Sequence, residues 1–131
     1  MNLKKIFYNK TVIVTGHTGF KGSWLSLWLN TLGARVIGIS INIPTSHSHF
    51  KALKLQNKIR HIKMDIRNLK MLQKTFKKYK PDYVFHLAAQ SLVKKSYLNP
   101  IYTWNTNTIG TLNVLESLRQ LKKKMRSNNY N

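Results

Sequence analysis

Val12-Ile13-Val14-Thr15-Gly16-His17-Thr18-Gly19-Phe20-Lys21-Gly22 is the stretch on which the reading of this chain turns. A β-branched run enters a turn with glycines three residues apart, and Ser23 to Leu32 then reads as an apolar helix closed by Gly33. Strand, glycine turn and helix in that order form a cradle for a diphosphate. Gly16 permits the tight turn, Gly19 lets the backbone approach the ligand, and Gly22 lets helix and strand pack closely. The unpaired N–H groups and positive dipole end of the helix face the anion. The pattern predicts dinucleotide binding. His17 and Lys21 lie beside the expected phosphate position, where Lys21 either adds a point charge or is simply exposed.

Outward from that stretch, strand and helix patterns alternate. Thr11 to Thr15 is the first strand, Arg35 to Ile41 the second, Ile59 to Ile66 the third and Tyr83 to Leu87 the fourth. The first helix, with Trp24, Leu25, Leu27, Trp28, Leu29 and Leu32, has little polar face and is expected to be well buried. A short helix is expected over Phe50 to Gln56. Asn68 caps another helix, with Leu69, Leu72, Phe76 and Tyr79 on its apolar face, and Pro81-Asp82 ends it. The nearly all-apolar fourth strand predicts cover on both faces. A long helix from about Pro100 to Leu121 is expected to bury Ile109, Leu112, Leu115 and Leu118. The alternation predicts an α/β fold: a Rossmann-like, doubly wound parallel sheet of about four strands in the order 3-2-1-4. Residues 1–121 read as the N-terminal part of a dinucleotide-binding domain and 122–131 as a basic polar tail.

Composition narrows the class. A chain of 131 residues, 42% hydrophobic, supports one domain with a core and is not disordered. No apolar run approaches the ~18 residues of a membrane span, and Asn9-Lys10 interrupts the only apolar stretch near the N-terminus. With no cysteine there is neither a disulfide nor a thiolate metal site, and a cytoplasmic protein is expected. Twenty-three basic residues stand against three acids, Asp65, Asp82 and Glu116, giving a net charge of +20. That charge raises nucleic-acid binding as an alternative. The basic residues are mostly lysine and scatter over every segment, which predicts non-specific anion binding only.

Ligands of such sheets bind beyond the carboxyl ends of the strands. After the second strand, Ser40 can bond a ribose hydroxyl without repelling a 2′-phosphate, which leaves NAD and NADP both open. After the third, Asp65 is placed to accept the exocyclic amine of adenine, with the Ile66 backbone against the ring; the same carboxylate could instead cap the next helix or pair with Arg67. After the fourth, Leu87, Ala88, Ala89 and Gln90 include two small residues where a ligand must approach backbone. His86, inside an apolar strand, reads as a satisfied core histidine.

Taken together, TGHTGFKG, DIR at 65–67, HLAAQ at 86–90 and TNTIGT at 106–111 resemble the extended short-chain dehydrogenase/reductase family. GHTGFKGSWL and HLAAQSLVKKSY are similar, within it, to the CDP-glucose 4,6-dehydratases; most relatives carry a branched aliphatic residue in place of Lys21. The resemblance reaches to about Arg119. It implies tightly held NAD in a closed redox cycle: C4 of CDP-glucose is oxidised, water leaves across C5 and C6, and hydride returns to C6. It also implies that Gly16, Thr18, Gly19, Phe20 and Gly22 hold the pyrophosphate, that Asp65 and Ile66 hold adenine, and that Leu87, Ala88, Ala89 and Gln90 line the nicotinamide side. Asn107 matches the asparagine of the helix behind the cofactor, and Ser96 and Tyr97 match a segment at the sugar-binding mouth. No metal is implied.

The chemistry of that family needs a tyrosine with lysine four residues later, lysine lowering the tyrosine pKa. Four residues after Tyr8, Tyr79, Tyr83, Tyr97 and Tyr102 stand Val12, Tyr83, Leu87, Ile101 and Thr106, and Tyr130 is followed only by Asn131. No catalytic residue is therefore assigned. The expectation is an N-terminal portion of a dehydratase, without its substrate domain and inactive alone, whose partners are a C-terminal half or further copies of itself. A dehydratase or epimerase of GDP- or UDP-sugars remains the alternative within the class, and a non-enzymatic dinucleotide- or nucleic-acid-binding remnant the alternative outside it.

Overall fold

The computed structural model describes residues 2–127, with side chains as far as Lys122. In chain order the elements are α1 (Leu3–Phe7), β1 (Thr11–Thr15), α2 (Phe20–Thr31), β2 (Arg35–Ser40), α3 (His49–Ala52), a 3-10 turn (Leu55–Asn57), β3 (Arg60–Lys63), α4 (Leu69–Tyr79), β4 (Tyr83–His86), α5 (Val93–Leu98), α6 (Pro100–Trp104), a π turn (Asn105–Ile109) and α7 (Gly110–Ser127). They form two compact units, one of residues 2–65 with 81–88 and one of 66–80 with 89–127.

All four strands belong to the first unit. They are parallel and ordered β3-β2-β1-β4, the order expected of the first half of a Rossmann sheet. Val14 lies opposite Gly38 on one side and Phe85 on the other, and Thr15 opposite Ile39 and His86, so the ends of β1, β2 and β4 fall at one level. The β-branched run makes β1 the buried centre of the sheet. Val12, Val14, Leu29, Ala34, Val36 and Ile59 form a core cluster, with Phe7, Leu25, Phe85 and Leu87 packed against it.

Two expectations about this unit need correction. Helix α2 turns Gly22, Ser23, Ser26 and Leu29 inward, while Trp24 and Trp28 are about half exposed (49% and 53%). Closeness of approach selects the face: a Cβ at residue 22 would run into the Gly16 carbonyl, and only small side chains fit beside it. Strand β4 is half-buried rather than covered on both faces, with Tyr83 39% exposed. It pairs with β1 alone among the described residues. Its cover on one side includes α1, an element not anticipated, whose Phe7 ring lies 5.2 Å from Tyr83 and 6.3 Å from Phe85.

In the second unit, Asn68 caps α4 as expected, its Oδ1 accepting the Met71 N–H at 3.0 Å, and Leu72 and Phe76 are buried. Lys80 ends the helix in the left-handed region (φ 44°) before Pro81. The expected long helix is divided into α6, the π turn and α7, and α7 continues to Ser127, so the backbone of 122–127 is helical. Residues 128–131 of the expected tail lie outside the described residues. The buried face of α7 is also different from the one expected: Gly110, Asn113, Val114 and Ser117 are buried, whereas Ile109, Leu112 and Leu115 are exposed and Leu118 is half-buried. Asn113 Nδ2 donates to the carbonyls of Ile66 (3.1 Å) and Arg67 (2.9 Å), and the Ile66 side chain occupies the space a Cβ at Gly110 would need. Satisfying two backbone carbonyls outweighs turning the leucines inward. Among the described residues, no helix is long and apolar enough to cross a membrane.

Candidate functional site

The glycine loop joins β1 to α2, and its three glycines do different work. Gly16 takes a left-handed conformation (φ 72°), and a Cβ there would stand 2.7 Å from the backbone of Leu87 and Ala88. Its N–H donates to Ile39 O at 2.8 Å. Gly16 thus lets the loop pass between the ends of β2 and β4. Gly22 presses against Gly16, as described above. Gly19, at φ −72°, is under no such constraint: a Cβ would meet only Gly16 O, at 3.3 Å, and otherwise point into open space. As the N-cap of a twelve-residue helix it offers no side chain to the first turn. The N–H groups of Phe20, Lys21 and Gly22 therefore have no acceptor within the helix, the arrangement by which helix N-termini hold anions. Phe20 and Lys21 project to solvent. Ser23, buried, donates its hydroxyl to Phe20 O at 2.9 Å and holds the first turn closed.

His17 does not flank the phosphate position as expected. Its side chain is fully buried: the ring fills the space over Gly38, meets Phe50 edge-on at 5.3 Å, and places Nε2 2.7 Å from Nδ1 of His61. Burial, reinforced by the neighbouring His61, lowers its pKa from 6.5 to about 4. His17 is neutral at physiological pH and can offer a ligand only its backbone. Thr18 is also buried, with Oγ1 donating to Asn42 O at 2.7 Å and lying 2.6 Å from Ser40 Oγ. Ser40, at the end of β2, thus ties that strand to the glycine loop.

Thr15, absent from the sequence-based candidates, organises the exit of β4. Its fully buried Oγ1 accepts the N–H groups of Leu87 and Ala88, each at 3.2 Å, and lies 2.6 Å from His86 Nδ1. The available signal was a hydroxyl on the last residue of an otherwise aliphatic strand. His86 is half-buried and its pKa is lowered by burial, the condition of a bonded core histidine. Asp65 follows β3, half-buried. The first unit therefore brings together Gly16, Thr18, Ser40, Leu87 and Ala88 at the ends of its strands.

The second unit brings together Gln90 and Asn107. The Gln90 N–H donates to Asn107 Oδ1 at 2.8 Å, and Asn107 Nδ2 donates back to Gln90 O at 3.0 Å. Both polar atoms of Asn107 are spent on backbone, so it positions the Gln90 segment. Asn107 lies within the π turn, a distortion frequent at functional sites. The Gln90 side chain bonds Leu92 and Thr103. Ser96 donates its hydroxyl to Val93 O at 2.6 Å, and Tyr97 is 84% exposed. Ala89 is exposed, and Ile66, buried, gives its carbonyl to Asn113.

Residues 13–130 match the family model described as GDP-mannose 4,6 dehydratase. The chain belongs to this family. Among curated proteins it is 46% identical over 118 residues to CDP-glucose 4,6-dehydratase of Salmonella typhimurium, covering 90% of this chain and 33% of that protein. The chain spans about a third of the length of the curated relatives it matches. Among solved structures, an epimerase from Methanothermobacter thermautotrophicus superimposes with a TM-score of 0.79 at 35% identity, over 92% of this chain and 35% of that one. A UDP-glucose 4-epimerase from Thermus thermophilus, solved in complex with NAD, gives 0.75 at 28% identity over 86% and 34%. These epimerases thus superimpose on most of the chain, its four-stranded parallel sheet included, and the resemblance to nucleotide-sugar enzymes inferred from GHTGFKGSWL and HLAAQSLVKKSY agrees with the family match.

Proposed function

We propose that these residues build the NAD-binding part of a nucleotide-sugar 4,6-dehydratase whose substrate, in the whole enzyme, is CDP-glucose. The observation that carries the reading is the contrast among the three glycines. Gly16 and Gly22 are locked against backbone, whereas the space beside Gly19 is left open at an uncapped helix N-terminus. A turn needed only for folding has no reason to keep that space clear.

In this reading the N–H groups of Phe20, Lys21 and Gly22 hold the pyrophosphate, Ser40 meets the ribose, and Asp65 and Ile66 hold adenine. Leu87, Ala88, Ala89 and Gln90 line the nicotinamide side, with Thr15 and Asn107 as positioning residues; Ser96 and Tyr97 serve the sugar. Bound NAD supplies a hydride acceptor and donor. The 46% identity to a CDP-glucose enzyme supports CDP over GDP or UDP, since a loop that grips phosphates does not read a base.

None of the tyrosines has a lysine four residues later, so the family's proton acceptor is not among these residues. General acid–base help is worth ~10²–10⁴-fold. The 131 residues should bind NAD weakly and leave CDP-glucose unconverted. Calorimetric titration with NAD and a 4-keto-sugar assay on the purified chain test both halves. Absence of NAD binding by a folded chain would overturn the reading of the loop, and robust turnover would show that the chemistry lies elsewhere, with His86, Ser96 and Tyr97 the first residues to substitute.

A further inference from the structure

We propose that the groove between α4 and α7 is a docking site for the phosphodiester backbone of nucleic acid, bound without regard to sequence. Within the second unit a half-open groove of about 430 Å³ lies between these helices, lined by Lys70, Gln73, Lys74 and Lys77 from α4 and by Ser117, Gln120 and Leu121 from α7. The three lysines are exposed and stand at i, i+4 and i+7 on one stripe. At ~1.5 Å rise per residue their Cα atoms advance along the helix axis in steps of about 6 and 4.5 Å. They present a line of charge to a chain of phosphates, where a single small anion would meet one solvated lysine.

The surrounding charge is uncompensated. The segments 66–80 and 89–131 hold thirteen Lys or Arg residues and one carboxylate, Glu116. That carboxylate is already taken: Arg119 grips it at 2.6 and 2.8 Å and Gln120 at 2.8 Å, which holds its pKa down at about 2. It therefore does not offset the lysines. The lining contains no arginine fork to read a base edge and no aromatic ring to stack on a base. Lysine point charges suit phosphate oxygens, and counterion release supplies the affinity. The occupant these features favour is a nucleic-acid strand read by its phosphates alone.

The test is fluorescence anisotropy of a labelled single strand of ~20 nucleotides of mixed sequence, titrated between ~50 and ~300 mM NaCl. Three lost phosphate contacts at ~0.7 each should make the salt slope of K70Q/K74Q/K77Q shallower by about 2 and weaken binding about a hundredfold at ~0.1 M salt. The control K4Q/K5Q/K58Q removes the same charge from exposed lysines of the other unit and should retain most of the slope. Circular dichroism confirms that both variants are folded, and NAD affinity should be the same in both. Equal losses in the two variants would assign binding to diffuse charge and overturn the groove, as would an unchanged groove variant or a sequence preference that survives high salt.

Discussion

Substituting Gly22 and Gly19 separately should split fold from function. In Gly22→Ala the new Cβ would collide with the Gly16 carbonyl oxygen and stand 2.8 Å from Gly16 C and His17 Cα. All three are backbone atoms of the turn, so no rotamer relieves the contact and α2 must move away from the loop. Overpacking of this kind costs ~1–3 kcal/mol, which for a domain of this size lowers the melting temperature by roughly 3–12 °C. In Gly19→Val the backbone is already at φ −72°, allowed for any residue, and the new Cβ meets only Gly16 O, tight at 3.3 Å. Its stability cost should stay near the ~0.5–1 kcal/mol of losing a favourable N-cap residue. The valine does, however, enter the space proposed above for the diphosphate, so NAD affinity should fall by at least tenfold. Thermal melts and calorimetry on both variants suffice. A Gly22→Ala protein melting like the parent, or a Gly19→Val protein binding NAD like the parent, would refute the division of labour.

Three further outcomes are expected. His17 has a folded pKa of about 4 against an ordinary 6.5, so the unfolded chain binds more protons between those values. Its contribution, on the order of 3 kcal/mol, is complete above about pH 6.5 and lost as pH falls toward about 4. Urea midpoints at pH ~7.5 and ~5 should differ in the parent and differ less in His17→Gln; equal pH dependence would contradict the buried neutral imidazole. Asn107→Ala removes both bonds to the Gln90 backbone and should cost ~1–2 kcal/mol with a several-fold loss of NAD affinity; a variant with the parent's melting temperature and NAD affinity would refute the clamp. Thr15→Val takes the buried hydroxyl from the Ala88 N–H and from His86 Nδ1, while the Leu87 N–H keeps the Thr15 carbonyl at 3.1 Å; it should destabilise by ~1–3 kcal/mol, read as a lowered melting temperature, with Thr15→Ser restoring most of it.

The first strand, the glycine loop and the start of α4 were legible because each rests on local chemistry: a β-branched run, a positive-φ glycine and the Asn68 cap; the third strand, expected over 59–66, is confined to Arg60–Lys63. Burial of the helices was not. In α2 the residues pressed inward are the small ones, Gly22, Ser23 and Ser26, chosen by distance of approach and not by hydrophobicity. In α7 an asparagine reaching two carbonyls fixed the inward face against the count of leucines. The His17–His61 pair was hidden for another reason, since 44 residues separate its members and only the pairing of β2 with β3 brings His61 beside Gly38. Asn107 bonds the Gln90 backbone from within a π turn that periodicity does not reveal.

The most direct test of the account is an amide NMR titration of the chain with NAD. The largest chemical-shift changes should fall on the N–H groups of Phe20, Lys21 and Gly22, which have no acceptor within α2, and smaller ones on Ser40, Asp65 and Ala88. Changes confined to the lysine-lined α4, or none at saturating NAD, would contradict a dinucleotide seated on the glycine loop.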